Sequence, residues 1–155
     1  MTDAPQEPSG VGRAVAVPAV RDVLNVGWKP PALECTYRGV QQPVQVCLRT
    51  LFDVVAGHED AWPFQQAVSV SEAPDYYNII KSPVDLSLMR SRLHSQHYVT
   101  PEQLLADLYL MCENCRLYNS DTSVYWECAT RLEAFVRNRA AELSVVRLSA
   151  PEALS

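Results

Sequence analysis

The chain has 155 residues, 48% of them hydrophobic, which is enough for one compact domain with its own core. A formal net charge of -5 excludes a surface built to hold nucleic-acid phosphates, which needs clustered Lys and Arg, and favours a basic peptide as partner. No stretch approaches the roughly 20 consecutive apolar residues of a membrane-spanning helix, and the amino terminus lacks the charged start and long apolar run of a secretory signal.

Residues 1–42 hold many of the prolines, little charge and few periodic apolar positions, so they read as a flexible proline-containing leader. Within it, the stretch around Trp28 and Tyr37 offers an aromatic anchor beside extended prolines and is a candidate for docking on the domain. Five cysteines (Cys35, Cys47, Cys112, Cys115 and Cys128) make an odd number and read as free thiols of a reducing compartment.

From Val44 to Val55 the apolar residues Val44, Leu48, Leu51, Phe52 and Val55 recur at three and four positions, which predicts a helix with one buried stripe, ended by Gly57. Between Gly57 and Ser82 the period is lost and Pro63 and Pro74 interrupt any helix. The same stretch nevertheless carries Trp62, Phe64, Val68, Tyr76, Tyr77, Ile79 and Ile80. A long loop rich in residues that prefer burial is expected to be functional.

Asp85 stands before Leu86, Met89 and Leu93 as the N-cap of a second helix. Thr100-Pro101-Glu102 opens a third, carried by Leu104, Leu105, Leu108, Met111, Cys112 and Cys115 to about Tyr118. After the polar turn Asn119-Ser120-Asp121-Thr122-Ser123, the residues Tyr125, Cys128, Ala129, Leu132, Phe135 and Val136 trace a fourth stripe. The expected fold is all-α, a four-helix bundle with a long first connection and no competing strand pattern. The expected organisation is a leader over 1–42, the bundle over 43–143 and a tail over 144–155.

Three segments, WPF at 62–64, PDYYNIIKSPVDL at 74–86 and NCRLYN at 114–119, resemble a bromodomain, and the resemblance extends from about Pro43 to Glu142. It implies a left-handed four-helix bundle whose long first loop and last loop frame a pocket for N-acetyl-lysine. By the same resemblance Asn119 is the residue whose NH2 donates to the acetyl carbonyl, and Tyr76 reaches that carbonyl through a water. Trp62, Pro63 and Phe64 form an apolar shelf, Val68 lines the wall, Tyr125 is the gatekeeper at the mouth, and Tyr118 touches the floor. The chain departs from the family pattern at Ala67, where many relatives have proline, at Ala73, where a larger apolar residue often narrows the pocket, and at Ser120 and Asp121, where proline frequently follows the asparagine.

The chemistry suits these residue types. Acetylation turns a lysine ammonium into a neutral amide with a methyl group. An apolar slot with no carboxylate rejects the bare ammonium, whose desolvation costs several kcal/mol. For the acetylated form, a buried methyl contributes on the order of 0.8 kcal/mol and a neutral hydrogen bond roughly 0.5 to 1.5 kcal/mol, so a single mark is expected to bind weakly.

Cys112 and Cys115 form a C-x-x-C, and His94 and His97 an H-x-x-H, but the cysteines lie mid-helix in an apolar stripe, where small buried side chains are expected rather than a metal or redox site. No nucleophile, base and orienting group can be assembled from spacing, and no glycine-rich phosphate loop is present. The expectation is a reader that is not an enzyme and needs no cofactor or metal. It would bind acetylated histone tails within a larger nuclear chromatin complex, without sequence-specific nucleic-acid binding and without a membrane; the rival is a helical scaffold that binds no ligand.

Overall fold

The structure, a computed structural model, describes residues 32–148. Strands β1 (Ala32–Tyr37) and β2 (Val40–Pro43) form a hairpin, followed by α1 (Val44–Ala56), a 3-10 helix (Glu59–Phe64), a single turn α2 (Tyr76–Ile79), α3 (Leu86–His94), α4 (Pro101–Tyr118), α5 (Val124–Ala140) and β3 (Leu143–Leu148).

The expected four-helix bundle is present, and a small three-stranded sheet that no strand pattern announced accompanies it. Two residues with positive φ, Arg38 at 53° and Gly39 at 84°, close the hairpin so that Tyr37 faces Val40, the backbone twist a two-residue hairpin turn demands. β3 returns antiparallel to the other edge of β1, Tyr37 opposite Leu143, giving the order β2-β1-β3. Along β1 the side chains alternate, Cys35 and Tyr37 buried at 0% and 3% and Glu34 and Thr36 less so, which is the period of a half-buried strand. Residues 32–42, read above as flexible, are therefore an ordered part of the domain, and Tyr37 docks in the core. Trp28, the remainder of the leader and the end of the tail lie outside the described residues.

Cys35 is disulfide-bonded to Cys47 on α1, with 6.6 Å between their Cα atoms. This corrects the reading of five free thiols, because an odd count says nothing about which two cysteines a strand and a helix bring face to face. Cys112, Cys115 and Cys128 are free and buried.

The four main helices α1, α3, α4 and α5 follow the sequence closely. α1 buries the predicted stripe, and Gly57 ends it, its N–H reaching Asp53 O at 3.0 Å. The Asp85 carboxylate accepts from Ser87 N at 2.9 Å at the start of α3. At the start of α4, Gln103 Oε1 accepts from Thr100 N, with Pro101 at the first helical position. Ser123 Oγ accepts from Trp126 N to begin α5. These ends fix the two loops that matter: residues 57–85, folded back by the 3-10 helix and α2, and the short turn at 119–123.

Polar ties hold the connections onto the bundle. Asp60, only 6% exposed, receives Nε and Nη2 of Arg131 at 3.0 and 2.9 Å, joining the 3-10 helix to α5. The Arg131 guanidinium holds the Asp60 carboxyl below its ordinary range. Asp107 on α4 accepts from Arg92 at 2.7 Å and from the Tyr98 hydroxyl at 2.5 Å, which locks the connection before α4 against α3.

Candidate functional site

The site is built where the long loop meets the carboxyl end of α4 and the amino end of α5. Asn119 is the C-cap of α4: its backbone has left the helix (φ -100°, ψ 152°) while its N–H still bonds Cys115 O at 3.0 Å. The side chain turns back to the same carbonyl, Nδ2 to Cys115 O at 2.9 Å, and approaches the Cys115 sulfur at 3.5 Å. An amide nitrogen carries two hydrogens. One faces Cys115, shared between its carbonyl oxygen and its sulfur, and the half-buried Asn119 leaves the other and its own oxygen without a partner among the described residues.

Tyr76, at the first position of α2, is 6% exposed and forms a small cluster with Ala73 and Ile80, against which Val68 and Tyr118 pack. Its ring lies edge-on to Tyr77 (centroids 5.0 Å apart) and to Tyr118 (4.9 Å). Each neighbouring tyrosine is tied down by its hydroxyl: Tyr77 donates to Val68 O at 2.6 Å and Tyr118 to Asp75 Oδ1 at 2.7 Å. The Tyr76 hydroxyl, by contrast, has no hydrogen-bond partner among the described residues, yet it is not among their sealed polar atoms, so solvent or a ligand reaches it. Burial pushes its pKa up to about 12, which keeps it a neutral phenol.

On the other side, Trp62 and Tyr125 face one another with centroids 5.5 Å apart and remain 53% and 44% exposed. Pro63 stiffens the 3-10 helix between them and the core, half-buried, while Phe64 is 6% exposed and belongs to the main hydrophobic core. The structure thus gathers Tyr76, Val68 and Tyr118 into one group and Trp62 and Tyr125 into another. Asn119 connects them, adjacent to Tyr118 in the chain and linked to Tyr125 by Cys115, whose thiol donates to Tyr125 O at 3.3 Å. Among the family departures, Ala67 is exposed and Ala73 is buried against Tyr76.

Sequence reasoning missed three supports of this site. Asn114 is buried on α4 and donates from Nδ2 to Ser82 O at 2.8 Å, pinning the end of the long loop. Asp75 orients Tyr118, and Cys115 touches both Asn119 and the backbone of Tyr125. Asn114 left a signal: a polar residue one turn before Tyr118, on a face otherwise carried by apolar side chains. Among the described residues no three His, Cys, Asp or Glu side chains group as metal ligands, and no helix is long and apolar enough to cross a membrane.

A bromodomain sequence profile matches residues 48–131, more than half of the chain. The chain belongs to the bromodomain family. Its fold agrees: the bromodomain of human BAZ1A superposes with a TM-score of 0.59 at 34% identity, over 61% of this chain and 88% of that one. The histone acetyltransferase GCN5 of Oryza sativa subsp. japonica is 35% identical over 150 residues, covering 90% of this chain and 29% of the rice protein. GCN5 of Yarrowia lipolytica is 37% identical over 122 residues, 79% of this chain and 26% of the yeast protein. This bromodomain therefore spans less than a third of these curated relatives. As a bromodomain it is an acetyl-lysine reader module with acetylated peptides as partners.

Proposed function

We propose that this bromodomain reads acetyl-lysine on histone tails with Asn119 and Tyr76, as the recognition part of a nuclear chromatin complex and with no catalytic step of its own. The observation that carries the reading is the Asn119 amide, oriented by Cys115 O at 2.9 Å with one N–H left over, together with a Tyr76 hydroxyl that has no hydrogen-bond partner among the described residues. The leftover N–H donates to the acetyl carbonyl, and the Tyr76 hydroxyl orders a water against the same oxygen. Val68 and the tyrosine cluster receive the methyl group, and Trp62, Pro63 and Tyr125 border the aliphatic stem.

The surroundings favour a basic tail. Glu72 and Asp75 on the long loop, Asp121 on the short turn and Glu127 in the first turn of α5 are all exposed. Asp75 also accepts from the Tyr118 hydroxyl at 2.7 Å, so its carboxylate is partly committed to holding the tyrosine cluster. The histone link of the GCN5 relatives supports the choice of tail.

The test is a titration of wild-type protein and Asn119→Ala with a panel of acetylated and unmodified histone-tail peptides. The expected result is micromolar or weaker binding that needs both the acetyl group and Asn119, with the melting temperature of the variant close to wild type. Failure of every acetylated peptide to bind would turn the assignment toward a scaffold.

A further inference from the structure

We infer that Cys115 is a positioning residue for acetyl-lysine recognition, its thiol coupling the Asn119 amide to the backbone of Tyr125; the inference rests on the proposed reading of the pocket.

Cys115 lies one helical turn before Asn119 and is 8% exposed. It meets the site at three points. Its carbonyl accepts from both the backbone and the side chain of Asn119, at 3.0 and 2.9 Å. Its sulfur shares the same Nδ2 hydrogen at 3.5 Å, and its S–H donates to Tyr125 O at 3.3 Å. One atom thus accepts from the residue that grips the acetyl group and donates to the residue at the mouth, across the turn 120–123 that links α4 to α5.

The direction of the relay matters. A thiol has a single hydrogen, and the Tyr125 carbonyl, an acceptor only, fixes where it points. The sulfur lone pairs then face the Asn119 nitrogen, which favours the amide orientation with NH2 rather than oxygen toward α4. The relay requires the protonated thiol. Burial supplies it, pushing the Cys115 pKa up to about 11, so the S–H persists at neutral pH.

The same argument separates Cys115 from its neighbours. Cys112 and Cys128 are equally buried, yet neither bonds Asn119 or Tyr125. Nor does the C-x-x-C spacing carry the role: what counts is the i to i+4 relation to Asn119, which puts the sulfur beneath the amide.

The experiment measures affinity for a fluorescent histone-tail peptide carrying one acetyl-lysine, with the unmodified peptide as blank, alongside melting temperature. Cys115→Ser keeps a donor and an acceptor in place and should bind within about twofold of wild type. Cys115→Val fills the space without either and should bind about three- to tenfold more weakly, the worth of one neutral hydrogen bond; Cys115→Ala provides the same comparison without overpacking if Cys115→Val melts early. The readout that loss of packing alone would not move is rescue by the serine: Cys115→Ser and Cys115→Ala differ by a single hydroxyl oxygen, so affinity kept by the first and lost by the second reports the hydrogen bonds rather than the filled space. If wild type binds the acetylated peptide while Cys115→Val and Cys115→Ala match it, or Cys115→Ser loses as much as they do, the positioning role is overturned and the reader assignment stands. If wild type ignores the acetyl group, the reader assignment itself falls.

Discussion

Asn114 provides the sharpest test of how the fold holds the site. Its side chain is 8% exposed on α4, and its Nδ2 reaches Ser82 O at 2.8 Å. Asn114→Ala removes a hydrogen bond worth about 1 kcal/mol net, and an orphaned buried carbonyl would add 1–3 kcal/mol. Ser82 is itself exposed, so water reaches its carbonyl once the amide has gone. The expected loss is therefore about 1–2 kcal/mol, from the missing bond and the lost packing. Asn114→Asp places a carboxylate against a carbonyl oxygen, and burial and that neighbour both disfavour its charge. Its folded pKa then lies above the ~4 of an unfolded aspartate. A raised carboxyl pKa destabilises at high pH, and the penalty is relieved as pH falls through the folded value, where the protonated acid donates to Ser82 O. Urea unfolding followed by tryptophan fluorescence at pH 7 and pH 5 measures both variants. Asn114→Asp should be the less stable at pH 7, with the gap to Asn114→Ala narrowing at pH 5. A gap independent of pH, or an alanine variant within about 0.3 kcal/mol of wild type, would refute the tether.

Tyr76→Phe keeps the edge-on ring contacts with Tyr77 and Tyr118 and removes only the hydroxyl. Acetyl-peptide affinity in a calorimetric titration should fall, but by less than in Asn119→Ala, with an unchanged melting temperature. For Asp60, the folded pKa is depressed chiefly by its hydrogen bonds from Arg131, so its contribution to stability is fully present above the unfolded value near 4 and is lost as pH falls through the depressed one. Melting temperatures recorded from pH 7 to pH 2 should show this acid limb in wild type, and Arg131→Met should weaken it; identical pH profiles would mean the pair does not hold the 3-10 helix.

The helices were legible because their signals are local. Asp85, Thr100-Pro101, Ser123 and Gly57 mark ends by capping chemistry within a few residues, and the stripe from Val44 to Val55 repeats at helical spacing. The sheet was hidden for the opposite reason. β1 is completed by β3, more than a hundred residues later, and nothing near Cys35 or Tyr37 announces that partner. Its local clue is only the turn at Arg38-Gly39, whose positive φ values the structure shows. In the candidate site, the motifs name Asn119, Tyr76 and Trp62 as proposed ligand contacts but give no hint of the groups that hold them. Asn114, Asp75 and Cys115 act through a carbonyl, a phenol and a backbone oxygen supplied by other segments, and no spacing rule encodes such pairings.

Those supports explain why a shallow set of interactions can be selective. Binding a neutral amide through one hydrogen bond and one methyl leaves little free energy to spend on ordering the pocket. Here the ordering is done before the ligand arrives. One Asn119 N–H is committed to Cys115 O, Tyr77 and Tyr118 are held by Val68 O and Asp75, and the loop end is held by Asn114. What remains unpaired among the described residues is one amide N–H, the amide oxygen and one phenol, a pattern that the carbonyl and N–H of an acetylated lysine, with one water, would satisfy. An ammonium, which brings only donors, finds the oriented N–H turned toward it and cannot accept from it. In the proposed reading, discrimination between lysine and acetyl-lysine comes from which half of each polar group the protein has already used.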